Sequence, residues 1–263
     1  MWSISKRMKK NDSGMTLVEL LVAFAVSAIV LSGLSYIIFS VLQFYGRANA
    51  NVEIQNESQT SLNLVIDSII AAKGVCFIEE DSTTVDPEEI TCALFGKLDL
   101  DETGMNTMTF TGDAILWQPK YKEMYLMSGT YDLGSFSSEA AAPLEAITAM
   151  KEKKLPADRE DRLPYLMAQN VTAFELKVDD SCFVAPISKP EDEMTEEEKK
   201  KVGKSYFENP LIIHINMEFE YEYQSGKKIT RQIDDNVAVR NRLDNVYIQR
   251  EGEYMTKYLR NQG

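Results

Sequence analysis

Residues Gly14 to Leu42 read GMTLVELLVAFAVSAIVLSGLSYIIFSVL. From Leu17 to Leu42 the run is apolar except for one ionisable side chain, Glu19. At 1.5 Å per residue that run makes a helix of roughly 39 Å, enough to cross a ~30 Å hydrocarbon core with some tilt. An acid at the centre of such a span costs about 2.5–3.5 kcal/mol, so an acid in the span marks a functional position and needs a partner. Lys6, Arg7, Lys9 and Lys10 lie just before the run. Basic flanks stay on the cytoplasmic side, which puts the C-terminal body outside. A cleaved secretory signal fits poorly, because the run far exceeds an apolar core of about 7–15 residues and no small-x-small site closes it. A plain uncleaved signal anchor stays open, although it gives no account of Gly14 or Glu19.

The chain has 263 residues and a formal net charge of −13. Its first 14 residues are locally basic, so the remainder is more acidic than the whole. An acidic body lacks the Lys/Arg footprint of a phosphate-tracking surface, and no direct nucleic-acid partner is expected. Three cysteines, Cys76, Cys92 and Cys182, are too few for a disulfide scaffold. A single histidine, His214, argues against histidine catalysis and multi-histidine metal sites. No catalytic set, metal site or cofactor site is expected.

Ser13-Gly14-Met15-Thr16-Leu17-Val18-Glu19, with a basic leader before it and an apolar helix after it, resembles the processing site of type IV pilins and type II secretion pseudopilins. The resemblance implies cleavage by a prepilin peptidase after Gly14 and methylation of the new N-terminus at Met15. Glu19 then becomes the fifth residue of the mature chain. Met15 replaces the phenylalanine usual at that position. The family also implies that Glu19 neutralises the N-terminal amine of a neighbouring subunit and so sets filament register. A pair formed in low dielectric is strong but carries a desolvation cost. Small residues such as Ala23, Ala28, Ser32 and Gly33 let helices approach closely in the span. The family's frequent mid-span proline is absent, which leaves Gly33 as the backbone weak point.

From Gln43 to Lys73 the pattern turns amphipathic, with Val52, Leu62, Val65, Ile66, Ile69 and Ile70 at helical spacing and Gly74 as a stop. One helix over 16–73 would be roughly 85–90 Å long; two helices hinged near Gly46 are the alternative. Val75–Glu80 and Ile90–Leu94 read as strands around an acidic turn, and symmetry about Thr84 places Cys76 opposite Cys92. A cross-strand disulfide and two buried thiols both fit that pairing. Asp99 to Gly104 imitates the start of a calcium loop, but Phe110 stands where the bidentate glutamate belongs. Met105–Phe110, Ala114–Gln118 and Glu123–Met127 read as a meander with turns at Gly112-Asp113 and Pro119-Lys120. A short helix is expected over Ala146–Lys153, a strand over Val171–Val178, and a charged solvated insertion over 188–205. Leu211 to Tyr223 alternates with period two, putting Leu211, Ile213, Ile215, Met217, Phe219, Tyr221 and Tyr223 on one buried face. A turn at Gln224–Lys227 leads into Ile229–Val239.

The expected fold class is therefore α+β: a long N-terminal helix packed on an antiparallel sheet, pilin-like, with a second small sheet or meander. The segments are a leader (1–14), a membrane and filament-core helix (15–42), an amphipathic continuation (43–74), a β-rich head (75–241) and a C-terminal extension (242–263), with a helix as one form the last can take. Asn236 to Asn241 and Ala168 to Phe174 loosely resemble the closing strands of PilW/PulJ-like minor pilins. The resemblance implies a minor pilin or pseudopilin, placed below the filament tip because it keeps Glu19. Its partners would be other pilins through helix packing, the peptidase, an assembly ATPase with its membrane platform, and the cytoplasmic membrane. It would sit in that membrane once, head outside, and then in a filament serving adhesion, secretion or competence. A membrane-anchored binding module, an adhesin or a component contacting substrate or DNA, is the alternative.

Overall fold

The computed structural model describes residues 16–80, 86, 88–101, 106–138, 141–152, 159–184, 206–207, 211–224, 226–239, 243, 245–250 and 253–256. The leader, most of the acidic turn after Glu80, 102–105, the insertion at 188–205, Arg240, Asn241 and 257–263 lie outside the described residues. Two compact units divide the chain, Met1–Asn49 and Ala50–Gly263.

Helix α1 spans Leu17–Ala71 and contributes to both. It runs unbroken through Gly33 and Gly46, so the single-helix reading holds and the hinge is not present. In the first unit its side chains are almost wholly exposed, and its most apolar 18-residue window has a mean hydropathy of 2.4. In the second unit α1 is one-sided: Ala50, Ile54, Ser58, Ser61, Val65, Ser68 and Ile69 are buried. Two of these serines bond back to the helix, Ser58 Oγ to the Gln55 carbonyl (3.0 Å) and Ser61 Oγ to that of Glu57 (2.7 Å). Back-bonding satisfies each buried hydroxyl, and the small side chains let the helix lie close to its neighbours.

The head is two sheets and a helix. Strands β1 (Gly74–Glu79), β2 (Thr91–Asp101), β3 (Thr107–Gln118), β4 (Glu123–Ser135) and β5 (Leu166–Ala168) combine with β11 (Asn245–Arg250) and β12 (Glu253–Thr256) in a seven-stranded sheet, ordered β12-β11-β1-β2-β3-β4-β5. All its pairings are antiparallel except β1 with β11. The small sheet is β10-β9-β6, with β6 at Val171–Val178, β9 at Leu211–Gln224 and β10 at Lys227–Val239. A further two-stranded pair joins β7 (Phe183–Val184) to β8 (Tyr206–Phe207). Helix α2 (Ala142–Glu152) covers one face of the large sheet, where Ala146, Ile147 and Met150 meet Leu94, Phe110 and Leu116. The other face shares a core with α1 and the small sheet, where Trp117 and Phe95 join Val65, Ile69, Phe174 and Met217. Three hydrogen bonds hold these layers in register. Trp117 Nε1 donates to the Val171 carbonyl (3.1 Å), the Val178 amide to Glu79 Oε1 (2.7 Å), and the Gln169 amide to Glu57 Oε1.

The α+β class and the buried face of β9 are as the sequence pattern dictates: Leu211, Ile213, Ile215, Met217 and Phe219 all point into the core. Four expectations need correction. First, the meander is the centre of the larger sheet, which is mixed rather than antiparallel. Second, the described part of the C-terminal extension is β, since β11 and β12 lie in it. Val246 and Ile248 enter one core and Tyr247 the other. Burial on both faces is usual for a strand with a parallel neighbour, and it erases the alternation that marks a half-exposed strand. Third, α2 begins earlier, at Ala142, with Pro143 in its first turn, where a missing amide leaves no bond unmade.

Fourth, Gly112-Asp113 is not a turn. Strand β3 passes straight through Gly112, which faces Gly96 on β2 and Gly129 on β4. A Cβ on Gly96 would stand 2.7 Å from Gly112 Cα and 2.9 Å from Phe110 Cε2. These glycines serve close backbone approach, with the Phe110 ring covering the gap. Gly96→Ala therefore forces two backbones apart and should destabilise the head by about 1–3 kcal/mol. Urea unfolding of the full chain in detergent measures it, and an unchanged midpoint would contradict the packing described.

Candidate functional site

The functional site expected at the start of α1 is built from the helix end itself. The first i to i+4 bond of α1 runs from the Leu20 amide to the Thr16 carbonyl (3.1 Å), which makes Thr16 the N-cap and Glu19 the third helical residue. Thr16 Oγ1 accepts the Glu19 amide (3.3 Å). Glu19 Oε2 in return accepts the Thr16 amide (2.8 Å) and the Thr16 hydroxyl (2.9 Å). This reciprocal pair is a capping box, and it satisfies donors that a helix start leaves open. The carboxylate also sits at the positive end of the helix dipole. Reading Glu19 only as an acid in need of a cation overlooked this partner. The signal was present as Thr-x-x-Glu ahead of an apolar run. Only Oε2 is used by Thr16; Oε1 accepts no hydrogen bond among the described residues. Gly14 and Met15, the expected cleavage and methylation positions, lie outside the described residues.

Cys76 and Cys92 do not face each other. Cys76 pairs with Leu94, two residues further along β2 than symmetry about Thr84 requires. The two cysteines are diagonal neighbours on the face covered by α2. Diagonal Cα atoms are about 7–8 Å apart, beyond the ~7 Å that a disulfide spans without backbone movement. Both are free, buried thiols. Burial pushes the Cys76 thiol well above the usual range and that of Cys92 up to about 12. Cys182 is also buried, and its sulfur accepts the Ile212 amide (3.3 Å). Such thiols are inert, because the thiolate is the reactive form.

The remaining candidates take structural roles. Asp99 and Asp101 close β2, and Asp99 pairs with Lys97. No group of three or more metal-ligating side chains forms among the described residues. His214, on the outer face of β9, contacts Asp179 Oδ2 through Nε2 (3.0 Å) and Asn236 through Nδ1. Asp179 is held below the usual carboxylate range, mainly by the Ser181 hydroxyl and amide and further by His214. Glu220 bridges Lys122 (2.8 Å) and Lys228 (2.9 Å), which hold its carboxyl low and tie β9 to the turn after β3. Such half-exposed pairs contribute little to stability singly.

Mass spectrometry of the unreduced protein should find three thiols, with alkylation at pH 8 slow in the native chain and complete in urea. A Cys76–Cys92 peptide bridge would contradict this register.

Comparison with known proteins places weight on the same end of the chain. Residues 9–35 match the model of the prokaryotic N-terminal methylation motif, a match that covers part of the leader and the start of α1. No curated protein and no solved structure matches the chain. At its N-terminus, then, the protein carries the methylation motif of type IV pilins and pseudopilins, on a helix long and apolar enough to cross a membrane.

Proposed function

We propose that this protein is a minor pilin or pseudopilin, a structural subunit rather than an enzyme. It waits in the cytoplasmic membrane with its head outside and then enters a type IV pilus-like filament. The observation that carries this reading is the coincidence of three features in one segment. The methylation motif runs directly into α1, the apolar side chains of α1 up to Tyr45 are exposed, and Glu19 stands capped in its first turn. Exposed apolar surface of that extent requires lipid or other apolar helices as its surroundings. The peptidase cuts after Gly14, and the new α-amine on Met15 is a cation at neutral pH. Glu19 Oε2 stays with Thr16 while Oε1 meets the amine of a neighbouring subunit, and that pairing sets where an incoming subunit stops. The large head, of two sheets and a covering helix, suits a subunit present in few copies near the start of a filament.

Two measurements test this. N-terminal sequencing of the membrane-extracted protein should return N-methylated Met15; an intact Met1 would overturn the processing step. Breaking a buried ion pair costs about 3–5 kcal/mol, so Glu19→Ala should insert normally into the membrane and be lost from sheared filaments. Normal incorporation of that variant would remove the register role.

A further inference from the structure

Three Asn-x-Ser/Thr triplets occur in the chain, at Asn11, Asn56 and Asn170. This spacing is the acceptor pattern for asparagine-linked glycans, and its natural place is a surface turn of an exported domain. Asn11 belongs to the basic leader, on the cytoplasmic side of the span. Asn56 lies within α1, and the hydroxyl of its triplet, on Ser58, is fully buried and bonded to the Gln55 carbonyl. Asn170-Val171-Thr172 stands in a different setting. It forms the tight turn between β5 and β6 and the first residues of β6, with Asn170 half-exposed at φ 58°. Thr172 is passed over in the ladder, which steps from Val171 opposite Phe219 to Ala173 opposite Glu218. The triplet therefore combines a turn with a bulge, and the Thr172 side chain is half-exposed. We propose that Asn170 is a modification site that carries an N-linked glycan on the head.

The chemistry is a glycosyl transfer from a lipid-linked saccharide phosphate. Asn170 Nδ2 bonds to the anomeric carbon, the bond from that carbon to the phosphate oxygen breaks with its electron pair, and Nδ2 gives up one proton to the transferase. Nothing is oxidised or reduced. Nδ2 carries two hydrogens, and its hydrogen bond to Glu57 on α1 uses one of them. The product is a secondary amide that keeps one N–H, so the contact from the turn to α1 survives the modification. The other pins of the turn are backbone bonds, the Glu220 amide on the Asn170 carbonyl (2.8 Å) and the Val171 amide on the Lys122 carbonyl (2.9 Å), and these are untouched. Room is also present. Asn170 borders an open cleft of about 670 Å³, walled by Asn56 and Glu57 from α1 and by Tyr221 and Glu222 from β9. A tyrosine ring beside carboxylate and carboxamide groups matches a hydroxyl-rich ring with apolar faces. The first sugar lies against that wall, and the rest of the glycan leaves through the open side.

The proposal rests on the reading that the head lies outside the membrane, and the experiment separates the two. The full chain is extracted from the membranes of its own cells, and the tryptic peptide Leu163–Lys177 is weighed. It should be heavier than its sequence by at least one sugar residue, roughly 160 Da or more, with fragmentation placing the increment on Asn170. Asn170→Gln and Thr172→Val should each remove the increment, whereas Thr172→Ser, which restores a hydroxyl, should keep it. Thr172→Val leaves the φ 58° position unchanged, so loss of the glycan there does not depend on a strained turn. Asn56→Gln should leave the increment in place. An unmodified Asn170 in the wild type would overturn the proposal, as would an increment that persists in Asn170→Gln or Thr172→Val. Protease added to spheroplasts reads the topology in parallel. Head peptides cut from outside together with a bare Asn170 would sink the glycan alone; a head protected from the protease would sink both readings.

Discussion

The rest of this molecule depends on apolar surface that its own fold does not cover. Leu17 to Tyr45 exposes leucine, valine, isoleucine and phenylalanine side chains around the whole circumference of α1. Fully exposing each such side chain to water forfeits about 1.5–3 kcal/mol, so the segment as a whole represents tens of kcal/mol of unmet burial. A helix can enter lipid because its backbone groups are bonded internally. The groups that are not, the first amides, are where Thr16 and Glu19 stand. The capping box therefore does at the helix start what the i to i+4 ladder does along the rest. It also makes a carboxylate tolerable there, since Oε2 is spoken for by an amide and a hydroxyl before any cation arrives.

The same helix then changes character without a break. From Ala50 onward one stripe of the helix is buried, and four of its seven buried residues are serine or alanine. Large side chains on this face would have held the sheets away. Instead, bulk comes from the sheets, with Trp117, Phe95 and Phe219 fully buried around the helix. Several polar groups that this close packing buries have partners: Ser58 and Ser61 bond to their own helix, Trp117 to β6, and Glu57 to the turn before β6. Unsatisfied, any of these would cost more than its packing returns.

What could be read from the sequence followed from how local its cause was. The apolar span and the β9 alternation each depend on residues within one element and are found where the pattern put them; the amphipathic stripe is found only in part, since Val65 and Ile69 are buried but Val52 and Ile70 are exposed and small residues such as Ser58 and Ser61 take the buried face. Strand pairing is not fixed by either strand alone, and the ladder sets Cys76 opposite Leu94 rather than Cys92. Gly112 looks identical as a turn residue and as a mid-strand contact. Only its partners Gly96 and Gly129, far away in sequence, distinguish the two. Strand β11 was hidden because a strand buried on both faces has no polar side to alternate with. The capping box was legible and overlooked, since attention to the charge of Glu19 obscured the simpler spacing to Thr16.

Glu19 and Glu57 together show one helix answering to two solvents by the same device. Each carboxylate accepts a backbone amide, Glu19 from its own helix start and Glu57 from a turn of the head. The difference lies in what surrounds the bond. At Glu19 the acceptor completes a local box that needs nothing beyond the helix start itself. At Glu57 the acceptor reaches Gln169, more than a hundred residues along the chain, so the bond exists only in the folded head and reports on it. A carboxylate that serves a local bond is free to take a second partner, whereas one that closes a long-range contact is bound to the state of that contact. That distinction separates the two carboxylates of one helix: Glu19 completes the helix end, and Glu57 ties the helix to the head.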